Sequence, residues 1–289
     1  MASTCAVLVD DVRDAANRIK DHVVRTPVLT STDLDAACGH SVFLKCETLQ
    51  RTGSFKFRGA TNAVLSLPED KAARGVVCHS SGNHGTAVAA AAQARGVPAV
   101  IVVPRTTAQV KVDNIRALGG KVVLCEPTQS ARKAAAEAEA AKLGGAEIIH
   151  PYDQANVIAG QGTIGLEFLE QVPDLDAILV PTSGGGMLSG IAVAVHGQRS
   201  DGSCRVHAVE PMGKRLGDAF REGERIIDPL RANIALDTVC DAMPTRCLGA
   251  LPWELAHSRK LVHPTVFSVI DEQVISAMRY IFETLKLVV

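Results

Sequence analysis

Short apolar segments alternate with longer helical segments through the middle of the chain. The apolar segments between Gly75 and His150 resemble buried strands, and alanine-rich or amphipathic segments separate them (strands 76–79, 99–103, 121–124 and 147–150; helices 84–95, 108–118 and 130–143). A second series follows (helices 160–171 and 186–195; strands 177–181 and 205–210). Because alternating strands and helices form parallel sheets with right-handed crossovers, the sequence predicts an α/β fold with two open, mostly parallel twisted sheets flanked by helices.

The two series also predict a division into domains. Residues 75–150 would form a small domain, and residues 1–74 and 151–289 would together form a larger one. Residues 213–252 have weak periodicity and many helix breakers, which predicts an irregular surface there. In open α/β sheets, ligands bind beyond the carboxyl ends of the strands, so the loops at those ends are the first candidates for a site.

A lysine lies between two phenylalanines, in Gly53-Ser54-Phe55-Lys56-Phe57, at the predicted start of a helix over 56–66. Burial among aromatic groups and the positive end of the helix dipole both disfavour the ammonium form and lower its pKa. A neutral amine is what a Schiff-base lysine needs. The alternative is a lysine whose stem packs at the helix start while its ammonium reaches solvent.

Two loops follow buried strands and open helices. Ser80-Ser81-Gly82-Asn83-His84 exposes the free N–H groups of a helix N-terminus, which suit a carboxylate or a phosphate; the alternative is ordinary N-capping by a serine. Ser183-Gly184-Gly185-Gly186-Met187 lets the backbone wrap closely around an anion, although a tight turn would use the same residues. The second loop has neither a Walker lysine nor the Gly-x-Gly-x-x-Gly order. We call the second loop, residues 183–187, the phosphate cup. A lysine nucleophile, a phosphate cup and a carboxylate site together suit pyridoxal phosphate and an amino acid.

The segments 54–59, 80–85, 157–163 and 183–187 together resemble the fold-type II pyridoxal phosphate enzymes, whose architecture is that of the tryptophan synthase β subunit. Within that family the chain is most similar to the serine racemases and the serine/threonine dehydratases. The likeness is good over residues 26–209 and looser beyond them. It implies interconversion of L- and D-serine, with β-elimination of serine to pyruvate and ammonia. The alternatives are a serine/threonine or 3-hydroxyaspartate dehydratase without racemase activity, or a non-catalytic coenzyme-binding remnant.

The resemblance also implies roles for individual residues. Lys56 would bind the coenzyme covalently, Phe55 would pack near its pyridine ring, and Asn83 would hydrogen-bond its phenolic oxygen. The phosphate would be held by the second loop (Ser183, Gly184, Gly185, Gly186 and Met187), in which Ser183 replaces the glycine usual in relatives. The substrate carboxylate would be held by the first loop (Ser80, Ser81, Gly82, Asn83 and His84). His84 would orient or pack there rather than act as a base.

Ser81 separates the two activities that the resemblance implies. Racemisation needs proton transfer on both faces of a planar carbon, and Lys56 reaches only one of them. A hydroxyl on the opposite face would serve the other, whereas many dehydratases of the family have alanine at this position. Serine therefore favours racemisation.

Further expectations from the resemblance concern a metal, an effector and the chain end. The family places a divalent cation, here Mg²⁺, near a Glu-Pro pair, which is Glu210-Pro211. Lys214 and Arg215 occupy positions where acids are usual, so Asp218 could serve as a ligand only if the loop shifts. The alternative is that Glu210 is an ordinary residue at the end of a strand. An ATP effector would bind near Ser31, Thr32, Arg51 and Thr52 in a homodimer; the alternative is that Arg51 is an ordinary surface arginine. Relatives continue beyond Val289 with the partner of the pyridine nitrogen, so the chain resembles a shortened member.

Composition argues against several classes of protein and indicates the compartment. Lys and Arg total 30 against 31 Asp and Glu, so the charge favours neither nucleic acid nor an anionic membrane. No apolar run approaches the roughly 20 residues of a membrane-spanning helix, and residues 1–11 lack the features of a signal peptide. The 8 cysteines form no Cys-x-x-Cys pair, which is typical of reduced thiols in a cytoplasmic protein.

Overall fold

Parallel strands dominate the fold, in a computed structural model that describes residues 7–232 and 234–289. The strands are β1 Val28–Leu29, β2 Leu44–Lys45, β3 Val76–Cys78, β4 Ala99–Pro104, β5 Lys121–Cys125, β6 Glu147–Ile148, β7 Ala177–Pro181, β8 Arg205–Pro211 and β9 Phe267–Val269. A four-stranded parallel sheet has the order β5-β4-β3-β6, and a three-stranded parallel sheet has the order β7-β8-β9. A short antiparallel pair, β1-β2, lies near the N-terminus. The predicted fold class is therefore confirmed.

Helices connect and cover these sheets. They are α1 Val9–Ile19, α2 Thr32–Cys38, α3 Lys56–Leu65, α4 Glu69–Ala72, α5 Asn83–Arg95, α6 Gln109–Ala117, α7 Gln129–Lys142, α8 Ala155–Gln171, α9 Gly186–Gln198, α10 Leu216–Glu222, α11 Ala250–Trp253 and α12 Asp271–Leu285. A π-helical turn continues α11. No helix in the described part of the chain combines the length and apolar character needed to span a bilayer.

Helix α8 is the central helix, and it is buried over most of its length between α3, α9 and α1. Small residues make this close packing possible. A Cβ on Gly190 of α9 would lie 2.3 Å from the carbonyl oxygen of Ile158, and one on Gly160 would lie 2.7 Å from the carbonyl oxygen of Arg58. These glycines let α8 and its neighbours approach backbone to backbone.

Some boundaries differ from the sequence prediction. Helix α8 begins at Ala155 rather than at Gly160, because tertiary packing stabilises a segment whose glycines have poor helix propensity. Helix α10 lies inside residues 213–252, where an irregular surface was predicted. Its 7 residues are too few to give a clear helical period. Helix α2 and strand β9 were not predicted either, and the division into two domains stays a prediction.

A buried ion cluster joins α3 to α8. The Arg58 side chain is completely buried, and it donates hydrogen bonds of 2.8 Å to both carboxylate oxygens of Glu47. It also donates to both oxygens of Glu167 at 2.7 and 2.9 Å. Lys45 donates to Glu167 at 2.7 Å from the other side. Burial acts to raise the pKa of Glu167, but Arg58 and Lys45 outweigh it and hold that pKa below its usual value. Arg58 therefore sets how the helix that begins at Lys56 is oriented on α8.

We expect Arg58→Met to lower the free energy of unfolding by about 3–5 kcal/mol, because it leaves the largely buried carboxylate of Glu47 without a cation and that of Glu167 with Lys45 alone. Urea unfolding of the purified chain measures this change. The matched control is Arg13→Met, which removes an exposed pair with Asp10 and should cost less than about 1 kcal/mol. Equal losses in the two variants would show that burial of the cluster does not matter.

Candidate active site

Lys56 is the first residue of α3, and its amine is enclosed. Nζ donates a hydrogen bond of 2.7 Å to the carbonyl oxygen of Pro151 and lies 5.2 Å from the centre of the Phe55 ring. Burial lowers the pKa of Lys56 to about 8. The predicted effect of desolvation is therefore confirmed. The neighbouring Cys78 thiol stays protonated, because burial raises its pKa to about 12.

The first predicted loop joins the end of β3 to the start of α5. Helix α5 begins at Asn83, and its N-cap, Gly82, supplies no side-chain hydrogen bond. The alternative of capping by a serine is therefore wrong for this helix, and its first N–H groups stay available to a ligand. Ser80, Ser81 and Gly82 are half-buried, while Asn83 is exposed. A ligand carboxylate would meet backbone N–H groups and hydroxyls here.

His84 is placed to support the loop rather than to transfer protons. Its ring is buried, and Nε2 hydrogen-bonds the carbonyl oxygen of Ile149 at 3.0 Å. Burial lowers its pKa to about 3, so the ring is neutral at physiological pH. A bond to a carbonyl requires the proton on Nε2, which leaves Nδ1 as an acceptor. The predicted role in orienting and packing agrees with this geometry.

The glycine loop lies between the end of β7 and the start of α9. Gly184 has no room for a side chain, since a Cβ there would lie 2.4 Å from the ring of Tyr152. Gly185 has a φ of +92°, a left-handed conformation that glycine adopts without strain. Over the described residues, none of the N–H groups of 184–187 donates to another backbone group. These free donors, with the N-terminus of α9 behind them, fit the phosphate of pyridoxal phosphate.

Three further residues predicted to bind the coenzyme lie beside the lysine or at the two ends of the glycine loop. Phe55 and Met187 are half-buried, and both pack against the apolar cluster that covers β7 and β8. Ser183 places its hydroxyl 3.2 Å from that of Thr245. Phe55 thus presents an apolar face beside the amine, as a coenzyme ring would require.

Sequence reasoning missed the junction segment, residues 150–153, which joins these parts. Pro151 accepts the hydrogen bond from Lys56, the Tyr152 ring packs against Gly184, and the Tyr152 backbone packs against Gly186. Asp153 accepts hydrogen bonds of 2.9 and 2.8 Å from the N–H groups of Ala250 and Leu251, and so caps α11. The sequence carries only a faint signal here, a His-Pro-Tyr run between a strand and a helix. Through this segment the structure brings the lysine and the phosphate cup together.

Arg132 of α7 was also missed. Its Nε atom is buried and has no hydrogen-bond partner among the described residues. Burial lowers the pKa of His79, and the positive charge of Arg132 lowers it further. The charge of Arg132 also acts to lower the pKa of Tyr152, although burial raises that pKa overall. Helix α7 packs against β3, so the charge of Arg132 acts on the residue that follows this strand and on the junction segment.

The expected metal site does not match the geometry at Glu210. This carboxylate is buried at the end of β8, and its two oxygens accept hydrogen bonds of 2.9 Å from the Leu216 N–H and the Ser268 hydroxyl. Asp218 is held instead by Arg215 and Arg221. No group of three His, Cys, Asp or Glu side chains within residues 7–232 and 234–289 could hold a metal ion. The residues present do not fit a divalent cation.

Several known proteins are similar to this chain in sequence and in fold. A serine racemase of Arabidopsis thaliana is 44% identical over 275 residues, which cover 95% of this chain and 80% of that protein. A β-hydroxyaspartate dehydratase of Paracoccus denitrificans is 39% identical, with coverage of 96% and 85%. The crystal structure of a pyridoxal 5′-phosphate-dependent aspartate racemase superimposes with a TM-score of 0.91, at 43% identity and with coverage of 98% and 85%.

The family model described as pyridoxal-phosphate dependent enzyme matches residues 19–289. That match spans most of the chain and includes the lysine, both predicted loops and the junction segment. The chain belongs to the family of pyridoxal-phosphate dependent enzymes.

Proposed function

We propose that the chain interconverts L- and D-serine and also eliminates water from serine, giving pyruvate and ammonia. The observation that carries this proposal is the desolvated amine of Lys56, hydrogen-bonded to the segment that packs on the phosphate cup. The similarity of the chain to a serine racemase, over 95% of the length of the chain, supports the choice of substrate. A small β-hydroxy amino acid is therefore the expected substrate.

Bound pyridoxal phosphate would act as an electron sink for the charge that develops at the substrate α-carbon. The chain's own residues would then orient the substrate and move protons. The free N–H groups at the start of α5, with Ser80 and Asn83, would hold the substrate carboxylate. Lys56 would take or return the α-proton on one face, because its lowered pKa leaves part of its amine neutral near pH 7.

Ser81 would exchange the proton on the opposite face. This role is supported by the position of Ser81 one residue before the N-cap of α5, within the loop predicted to bind the carboxylate. Elimination of the β-hydroxyl needs a proton transfer on one face only, so it would accompany racemisation. A chain in which Ser81 did not exchange protons would be a dehydratase, which is the main alternative.

A second candidate is activity on an acidic amino acid, such as aspartate or 3-hydroxyaspartate. The observation that favours it is the buried Nε of Arg132, which lacks a partner in the described chain. A guanidinium binds a carboxylate through two parallel hydrogen bonds, and a β-carboxylate would satisfy it. The likeness to an aspartate racemase and a β-hydroxyaspartate dehydratase agrees with this candidate.

Three further proposals rest on the sequence: the resemblance implies the first and the third, and the spacing of the cysteines indicates the second. They are a homodimer, a cytoplasmic location and an ATP effector near Ser31, Thr32, Arg51 and Thr52. Ser31 is engaged within its own chain, where its hydroxyl accepts a hydrogen bond from the Leu34 N–H and caps α2. An effector phosphate would therefore rely on the exposed Arg51.

We expect covalent capture of pyridoxal phosphate by the coenzyme-free chain to speed up as pH rises from 6 to 9, with a midpoint near the Lys56 pKa of about 8. The reason is that only the neutral amine reacts, whereas an exposed lysine would titrate near 10.4. Borohydride reduction followed by peptide mapping measures the adduct. It should disappear in Lys56→Ala and persist in Lys71→Ala, which alters an exposed lysine. An adduct elsewhere would refute the assignment.

We expect Ser81→Ala to reduce racemisation about 100-fold or more while elimination changes less than about tenfold, because only racemisation needs both faces. Chiral chromatography of serine and a pyruvate assay measure the two rates on the same sample. Ser80→Ala is the matched control, and it should reduce both rates together. Parallel loss of both rates in Ser81→Ala would contradict the proposed role.

We expect Arg132→Met to raise the KM for 3-hydroxyaspartate about tenfold or more, since it removes a charged hydrogen-bond partner. The KM for serine should change less than about threefold. Steady-state kinetics with both substrates test this, with Lys133→Met as the control on the same helix. If the unmodified chain turns over neither aspartate nor 3-hydroxyaspartate, the second candidate is wrong.

A further inference from the structure

A second buried lysine lies behind the phosphate cup. Lys214 is only 4% exposed, although lysine is rarely buried without a partner. Its ammonium donates a hydrogen bond of 2.7 Å to the carbonyl oxygen of Ser183, and another to the carbonyl oxygen of Thr245. The buried carboxylate of Glu210 attracts it as well. The ammonium is therefore held by carbonyl oxygens of two chain segments, and it occupies the place that a bound cation would take.

The bond to Ser183 controls the direction of a phosphate donor. The C=O of Ser183 and the N–H of Gly184 belong to one planar trans peptide, so they point in opposite directions. When Lys214 holds the carbonyl on one side, the Gly184 N–H must face the other side, toward the cup. The positive charge also polarises this peptide, which makes its N–H a stronger donor.

The next peptide is held in the same way. The carbonyl of Gly184 accepts a hydrogen bond of 3.0 Å from the Gly249 N–H, so the Gly185 N–H is turned to the opposite side. Thr245 belongs to the same 245–249 segment, and its carbonyl is the second acceptor of Lys214. Lys214 therefore anchors both the loop and the segment that supports it.

The same contacts leave no room for a divalent cation at Glu210. Both carboxylate oxygens already accept hydrogen bonds from the protein. Two carbonyl oxygens that a hard cation would need are taken by the ammonium, and Asp218 is paired with arginines. A metal ion would also meet the charges of Lys214 and, in the next residue, Arg215.

We propose that Lys214 is a positioning residue for the phosphate cup, and that Glu210 of this chain binds no divalent metal ion. The first half rests on the proposed function, because it assumes that the cup holds the phosphate of pyridoxal phosphate. The second half concerns the ligand-free chain and stands independently of it.

The first experiment compares capture of pyridoxal phosphate with capture of pyridoxal, which lacks the phosphate. In Lys214→Met, the dissociation constant for pyridoxal phosphate should rise about tenfold or more, the usual effect of losing a charge-assisted hydrogen bond. The constant for pyridoxal should change less than about twofold, and Arg215→Gln should leave both unchanged. A general structural defect would weaken both ligands. Equal weakening, or no weakening, would therefore overturn the positioning role.

Chemical rescue supplies a second test if Lys214→Met does not fold. Lys214→Ala leaves a space lined by the same oxygen atoms, and added methylammonium should restore at least half of the lost affinity for pyridoxal phosphate. Tetramethylammonium, which has no N–H group, should not restore it. Rescue by both ions or by neither would contradict an ammonium bound at this position.

The proposal that no divalent metal ion binds at Glu210 can be tested on the unmodified chain without coenzyme. Calorimetric titration of the coenzyme-free chain with MgCl₂ should show no binding at millimolar concentrations, and its melting temperature should be the same in EDTA and in Mg²⁺. Saturable Mg²⁺ binding that disappears in Glu210→Gln would overturn the inference. If the chain fails to bind pyridoxal phosphate at all, the proposed function fails, while this measurement still decides the metal question.

Discussion

The buried guanidinium of Arg58 is the interaction on which the site depends. Moving a charge out of water is costly, and the cost is offset only when the partners are close and well oriented. Arg58 satisfies this condition with two carboxylates, each bound through both of its oxygens. Since Arg58 lies two residues after Lys56 in the same helix, its bonds to Glu47 and Glu167 determine where the amine is presented. Arg58 therefore supports the chemistry without touching the ligands.

Two buried lysines show how surroundings decide what a lysine does. Burial lowers the pKa of both Lys56 and Lys214 to about 8. Lys56 has one carbonyl partner and an aromatic neighbour, so little would be lost when its amine becomes neutral. Lys214 has two carbonyl partners, and Glu210 favours its charged form. The first environment suits a nucleophile, and the second suits a fixed positive charge.

The sequence predicted the features that depend on local pattern. Apolar runs of strand length, glycine loops after strands and a lysine between aromatic residues all have a local physical cause, and each appears where it was expected. The junction segment and Arg132 depend on contacts between residues far apart in the chain, which periodicity does not carry. Lys214 shows most clearly what a sequence cannot predict. The sequence showed that a lysine stands where related proteins have an acid. It did not show the partners of that lysine, Ser183 and Thr245.

The hydrogen bond from Lys56 to Pro151 has a consequence for how the two halves of the site influence each other. The adjoining residue, Tyr152, packs against Gly184 and Gly186, so only one peptide separates the amine from the phosphate cup. Ile149 and Asp153 are held by bonds to His84 and to the start of α11, and the His150 ring accepts hydrogen bonds from the N–H groups of Tyr152 and Asp153, so the segment is a firmly held link between the two. By thermodynamic linkage, whatever an anion in the cup does to the proton affinity of Lys56, protonation of Lys56 does equally to the affinity of the cup. Proton and anion are therefore coupled ligands in this chain.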